Sequence, residues 1–349
     1  MKLLIITQVL DTEHPILGFF HRWAEEFAAQ VESVEVIALQ VGKYNLPPNV
    51  HVHSLGKEDG ISRLKYLWRF YKHVWQLRSS YDGVFVHMNQ QYVPLGYPFW
   101  KLFGKRIGLW YAHGAVSRSL TLAVRLADVV FTSTPQGLQL NTPKRVVVGQ
   151  GIDVAHFAPA TLVRPTRSTL QLITVGRISA SKNITTLLAA CAYLKQQGVA
   201  FHFAIIGTSL TELDREYEKA LHQYCLENQL TDHVMWVGGV NQAALPNYLQ
   251  QADIFIHDGA TQSLDKVLLE AVAAGCVVIS SNAAYTAMTT SLAPQNLFPS
   301  TDSTALAHSI VRCHQMSVTA REEMMTSVRQ EVHSEHSIQG LISKIILRY

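Results

Sequence analysis

Short apolar runs alternate with longer amphipathic stretches along this 349-residue chain, and the alternation starts again after residue 150. LLIIT (3–7), VEVIAL (34–39), GVFVHM (83–88), IGLWYA (107–112), VVFTS (129–133) and RVVVG (145–149) form the first series. LQLITVG (170–176), FHFAIIG (201–207), HVMWVGG (233–239), ADIFIH (252–257) and CVVISS (276–281) form the second. Runs of this kind read as strands buried on both faces, and such strands pair in parallel through helical crossovers. The expected fold is α/β, with two tandem doubly wound Rossmann-like domains. The break falls in GQGIDVAHFAPATLVRPTRST (149–169), rich in Gly, Pro and Thr. It divides the chain into 1–152 and 153–336. Two such domains in tandem open an interdomain cleft at the carboxyl ends of their strands, where ligands of these sheets bind.

Composition supports two cores. Hydrophobic residues make up 48% and charged residues 16%, which argues against disorder. Cys191, Cys225, Cys276 and Cys313 lie apart in apolar stretches and read as buried thiols of a reducing compartment. The start, MKLLIITQVLDTEHP, turns polar too soon for a signal peptide, and no run reaches the length of a membrane span. These features lead to the expectation of a cytoplasmic protein whose membrane contact is peripheral. The net charge of +3 is uneven: residues 1–150 hold 16 Lys and Arg against 10 Asp and Glu, the remainder 13 against 16. The basic half should face an anionic partner. Nucleic acid is a poor candidate, because no recognition motif gathers the basic residues.

Two segments carry the chemistry. In VGRISASKN (175–183) a strand ends at Gly176 and a helix begins near Asn183, so Arg177 and Lys182 lie in the loop between them. Both cations can meet one anion before a helix N-terminus, where free N–H groups already favour negative charge. A diphosphate fits there; a solvated loop with two ordinary cations fits the spacing equally well. ADIFIHDGATQSLDKVLLEAVAAGCVVIS (252–280) reads as strand, loop, helix, strand, with Ser263 as N-cap and Gly275 ending the helix. Glu270 falls within the apolar run VLLEAVAA and needs a partner. Vicinal ribose hydroxyls would serve, and so would an i,i+4 ion pair with Lys266.

GRISASK, VMWVGGV and ADIFIHDGATQSLDKVLLEAVAAG, in this order, resemble the retaining glycosyltransferases of family 4, which have the GT-B fold. The resemblance covers most of residues 149–310 and is looser over 1–148. It implies a nucleotide-diphosphate sugar as donor substrate, with no further cofactor, and a glycan or lipid-linked acceptor. It also implies that Arg177 and Lys182 hold the diphosphate beside Gly176, and that Glu270 holds the ribose. Backbone at Val237, Gly238 and Val240 would line the base pocket, Gly18 would mark the first loop of the N-terminal domain, and His113 would lie near the transferring sugar. The last helix, 337–349, would pack back on the N-terminal domain. Gln262 stands where the pattern has its first glutamate, and Ser263, Leu264 and Asp265 where it has a glycine-rich stretch. With Lys266 these residues still open the helix, so their N–H groups can face the donor.

No DxD triplet and no clustered metal ligands occur. Arg177 and Lys182 would then neutralise the leaving diphosphate, and the resemblance implies a front-face route to retention. His87 ends a strand as His113 does, but reads as structural; His14 and His21 flank Gly18 and read as incidental. In ISRLKYLWRFYKHVWQLR (61–78), Leu64, Leu67, Trp68, Tyr71, Val74 and Trp75 form an apolar stripe beside Lys65, Arg69 and Lys72. The stripe reads first as a face docked on the sheet, and second as a face for an anionic membrane surface. A nicotinamide enzyme is disfavoured, because no GxGxxG follows the first strand. A nucleotide-sugar epimerase of the same fold and a catalytically silent GT-B binding protein are the alternatives.

Overall fold

The computed structural model describes the chain from Met1 to Tyr349 except for residues 15, 160–166 and 260–262. It forms two compact units, Met1–Gly151 with Glu335–Tyr349, and Ile152–Ser334. Each is built on one parallel sheet with helices on its faces.

In the first unit the strands are β1 (Lys2–Leu10), β2 (Ser33–Val41), β3 (Val50–Ser54), β4 (Gly83–His87), β5 (Arg106–Trp110), β6 (Val129–Thr132) and β7 (Arg145–Val147). They pair in parallel in the order β3-β2-β1-β4-β5-β6-β7. Side chains alternate across a strand. Leu3 and Ile5 therefore join Phe20, Phe27, Leu341 and Ile345 on one face, and Leu4 and Ile6 join Phe70, Val74 and Trp100 on the other. Strand β3 was absent from the apolar runs, because VHVHS is an edge strand with no fully buried residue. The helix Ile338–Ile346 lies against the helix Phe19–Gln30, and Ser343 Oγ donates to Gln30 Oε1 at 2.8 Å. Gly149, at φ +90°, passes the Glu335 carbonyl so closely that a Cβ would overlap it. The Tyr349 hydroxyl donates to the Val84 carbonyl at 2.7 Å, and its ring fills the space left by Gly83 and Gly108.

The helix Arg63–Gln76 corrects the docked-stripe reading. It buries Phe70 and Val74, whereas Leu64, Trp68 and Trp75 are 79%, 63% and 51% exposed. The apolar arc is wider than one face, and the sheet takes the part centred on Phe70. Lys65 and Lys72 are exposed beside the remainder.

In the second unit β8 (Leu170–Val175), β9 (Phe201–Ile206), β10 (Val234–Gly238), β11 (Ile254–His257) and β12 (Val277–Ser280) pair in parallel in the order β10-β9-β8-β11-β12. One core runs through both layers, from Leu187 and Leu188 to Phe203, Leu268 and Leu269. All four cysteines are buried and uncombined. Among the described residues no helix is long and apolar enough to cross a membrane.

His336, at the re-entry to the first unit, is buried, and its Nδ1 has no partner among the described residues. Burial holds its pKa down at about 4. Below pH 6.5 the unfolded chain gains a proton that the folded chain refuses until about pH 4, so stability falls as the pH drops through that window. His336→Phe should remove roughly 2–3 kcal/mol of this loss between pH 7 and 4.5, measured as the difference from wild type in urea unfolding. A difference that does not change with pH would show that the ring is not held neutral.

Candidate active site

Both sheets reverse their strand order once, between β1 and β4 and between β8 and β11. In open parallel sheets such a reversal leaves a crevice at the carboxyl ends, because the neighbouring crossovers leave in opposite directions. In the second unit the crevice receives the segment after Val175 and the end of β11 at His257. Gly176 takes φ +154°, and its N–H donates to the Ile206 carbonyl at 2.9 Å. A 3-10 turn, Ala180–Lys182, and a left-handed Asn183 then lead into the helix Ile184–Gln196. Gly176, Arg177, Lys182 and His257 line one shallow pocket.

Each cation there already faces an acid. Arg177 Nε lies 4.0 Å from Asp214 Oδ2. That carboxylate is committed to a capping box, accepting from Thr211 N at 3.1 Å while Thr211 Oγ1 accepts from Asp214 N. Lys182 Nζ lies 2.5 Å from Asp265 Oδ2, and the same oxygen is 2.8 Å from His257 Nε2. Burial alone would raise the Asp265 carboxyl, but the hydrogen bond and charge of His257 and the charge of Lys182 outweigh it and hold it well below the carboxylate range. This overturns the reading of Ser263 as N-cap. Asp265 caps the helix Lys266–Ala273 by position, and its side chain makes no capping bond, because the Lys182 ammonium and His257 take its oxygen instead.

Glu270 is buried in the same helix. Its Oε1 accepts from Gln242 Nε2 at 2.9 Å and lies 3.3 Å from Lys266 Nζ. The i,i+4 ion pair weighed against a ribose role is thus present, and Gln242 joins it. Burial pushes the Lys266 ammonium below its usual range, against the pull of Glu270 and Asp153. Val237, Gly238 and Val240 are half-buried where β10 ends, and the pairing with β9 slips between Trp236 and Gly238. Ser263 offers its carbonyl to Asn282 Nδ2 at 3.0 Å. Leu264 is buried in the core, so only its backbone can face a ligand. Gln262 lies outside the described residues.

In the first unit Gly18 closes the loop after β1. Its N–H donates to the His14 carbonyl at 3.0 Å, and a Cβ would crowd that oxygen. His14 Nδ1 accepts from Leu17 N at 3.0 Å and helps to shape this loop. His21 Nε2 accepts from Asn45 N at 3.1 Å. His87 is buried against Phe20 and Trp23. His113, just beyond β5, is exposed. Sequence reasoning missed Gln242 and the side-chain chemistry of Asp265 and His257. Spacing gave no signal for them, because Lys182 and Asp265 are 83 residues apart. Among the described residues no group of three His, Cys, Asp or Glu could hold a metal ion.

Residues 165–329 match the family described as glycosyl transferases group 1. WcaL of Escherichia coli (strain K12), named for colanic acid biosynthesis as a glycosyltransferase, is 27% identical over 203 residues, 56% of this chain and 48% of that protein. The amylovoran biosynthesis glycosyltransferase AmsK of Erwinia amylovora is 33% identical over 118 residues, 32% of this chain and 28% of its own length. The chain spans about half the length of WcaL. Among solved structures, Anabaena Alr3699/HepE in complex with UDP superposes with a TM-score of 0.79 at 17% identity, covering 100% of this chain and 99% of that one. Its complex with UDP-glucose gives 0.76 over all of both chains. The architecture of two parallel sheets with helices is therefore shared with glycosyltransferases of the GT-B fold.

The Lys266–Glu270 pair makes a stability prediction. Removing one partner of a buried pair strands the other. Glu270→Gln should lower the unfolding free energy by about 1–3 kcal/mol, and adding Lys266→Met should restore part of it. A coupling near zero in this double-mutant cycle would mean that the pair is only a surface contact.

Proposed function

We propose, from the match of residues 165–329 to the glycosyl transferases group 1, that this chain moves a sugar from a nucleotide-diphosphate donor to a glycan or lipid-linked acceptor, with retention. The observation that carries this reading is the convergence of Arg177 and Lys182 at the β8–β11 reversal, beside the start of the helix Lys266–Ala273. A diphosphate placed there meets two cations and the positive end of a helix. Similar proteins support the substrate class: WcaL and AmsK are named for colanic acid and amylovoran biosynthesis, and Alr3699/HepE was solved with UDP and with UDP-glucose. Glu270, supported by Gln242, is our candidate for the ribose, and the backbone at Val237–Val240 for the base. Retention and the role of His113 follow from the resemblance to family 4.

Bond breaking puts negative charge on the departing diphosphate. Arg177 and Lys182 are aimed to stabilise it, which is the service a divalent ion gives elsewhere. We propose that transfer needs no metal. Arg177→Ala and Lys182→Ala should each slow transfer at least 100-fold, about 3 kcal/mol, without a change in fold. Wild-type activity should persist in EDTA. A panel of nucleotide sugars in a thermal-shift assay identifies the donor, since a ligand specific for the folded state raises the melting temperature. Wild-type rates in both variants, or loss of activity in EDTA, would remove these assignments.

For the acceptor side we propose peripheral contact with an anionic membrane. Leu64, Trp68 and Trp75 are exposed on the helix Arg63–Gln76 beside Lys65 and Lys72, and Leu102 adjoins Lys101. Trp75 meets Phe103 edge-on at 5.8 Å, which joins the two patches. Aromatic and leucine side chains among lysines suit the interface of an anionic bilayer, each nearby cation adding ~1 kcal/mol. Co-sedimentation with anionic vesicles should occur, weaken with salt and fall when Lys65, Arg69 and Lys72 are replaced together. Equal recovery with and without vesicles would exclude the contact.

A further inference from the structure

The donor-site reading leaves Asp265 unexplained. It brings a negative charge to the place where a diphosphate is to be held, and within the stretch that is glycine-rich in the family pattern. Three observations show that it is built in. Asp265 Oδ2 takes Lys182 Nζ at 2.5 Å and His257 Nε2 at 2.8 Å. His257 is itself fixed: its Nδ1 is 3.2 Å from Ser280 Oγ, which accepts the Asn282 N–H at 3.0 Å. Gly259 supplies the room, since a Cβ there would overlap the His257 ring. The carboxylate is therefore held against the lysine and kept off the helix N-terminus that it occupies.

We infer that Asp265 is the resident counter-ion of Lys182 and sets how tightly the site holds a nucleoside diphosphate. The inference rests on the donor-site reading. The ammonium is neutralised within the protein by Asp265. An arriving diphosphate must share or displace that contact and accept a carboxylate as neighbour, so binding is weaker than two free cations would make it. As the product diphosphate leaves, the ammonium returns to Asp265, so a charged group is not left unpaired. Asp214 beside Arg177 differs, because its Oδ2 already accepts the Thr211 N–H of a capping box.

The test uses the full chain, with UDP and inorganic pyrophosphate as probes, titrated by calorimetry. Asp265→Asn should bind both about 10-fold more tightly than wild type. Asp265→Gly should do the same; it is a second route if the first variant folds poorly, as glycine is tolerated at an N-cap and no capping bond is lost. Acylation of Lys182, read by peptide mass spectrometry without any ligand, should be several-fold faster in both variants. A residue that merely held the loop together would give the opposite sign, with weaker binding on its removal. Unchanged or weaker binding in both folded variants overturns the inference. If Lys182→Ala loses affinity for UDP while neither Asp265 variant gains it, only this inference falls. If Lys182→Ala binds UDP as wild type does, or if no form binds either probe, the donor-site reading falls with it.

Discussion

A parallel strand can be followed by its neighbour only after the chain has returned to the starting edge, so every pairing in this protein is joined by a crossover. The direction in which successive crossovers step along the sheet decides where the carboxyl-end loops crowd together and where they part. In the second unit the first steps run from β8 outward to β9 and β10, and the next return past β8 to β11 and β12. The segments after β8 and β11 therefore rise side by side with no crossover between them. That places a loop carrying Arg177 and Lys182 next to a strand end carrying His257, although dozens of residues separate them. The chemistry of the site depends on this reversal more than on any single side chain.

Within that crevice, cations and acids are paired wherever they can be. Arg177 lies near Asp214, Lys182 contacts Asp265, and Lys266 contacts Glu270. Arg177 is exposed and solvent screens it, but the Lys182–Asp265 and Lys266–Glu270 pairs are largely shielded from water, and breaking a shielded pair leaves a charge poorly compensated. The pairs differ in what else holds them. Asp214 serves its own helix, and Glu270 takes an amide from Gln242. Asp265 is held by His257 and Lys182, and gives nothing to the helix it starts. Unlike Asp214, it therefore has a side chain with no role in capping its helix.

Much of the fold was legible, because burial on both faces forces continuous apolar runs; the edge strands β7 and β10 were read from such runs too, although they are only partly buried. The same logic explains why β3 was invisible: VHVHS pairs on one side only and buries nothing completely. The loop positions of Arg177 and Lys182 were legible as well, since a strand ending in glycine before a helical stretch is a local signal. The partners of those cations were not. Lys182 finds Asp265 through the tertiary arrangement of two strand ends, and no local pattern encodes it. The expected N-cap failed for a related reason. Ser263 has the chemistry of a cap, but the helix starts where backbone geometry places it, at Asp265, whose own capping group is drawn away by Lys182 and His257.

The helix Arg63–Gln76 shows the limit of periodicity in another way. Apolar spacing reports that a helix has a face to bury, but not which side the sheet takes when aromatic residues spread over more than half of its circumference. Here the sheet takes Phe70 and Val74, Tyr66 and Tyr71 pack partly against the same core, and Trp68 and Trp75 stay outside beside cations: Lys72 lies over the Trp68 ring at 5.3 Å and Arg78 over Trp75 at 4.9 Å. Such pairs soften the cost of exposing a ring, because a cation on the π face keeps its own hydration on the other side. They also keep that face from being a plain hydrophobic patch, which would favour indiscriminate association. The membrane contact we propose rests on that combination, since a bilayer of acidic lipids is both anionic and apolar.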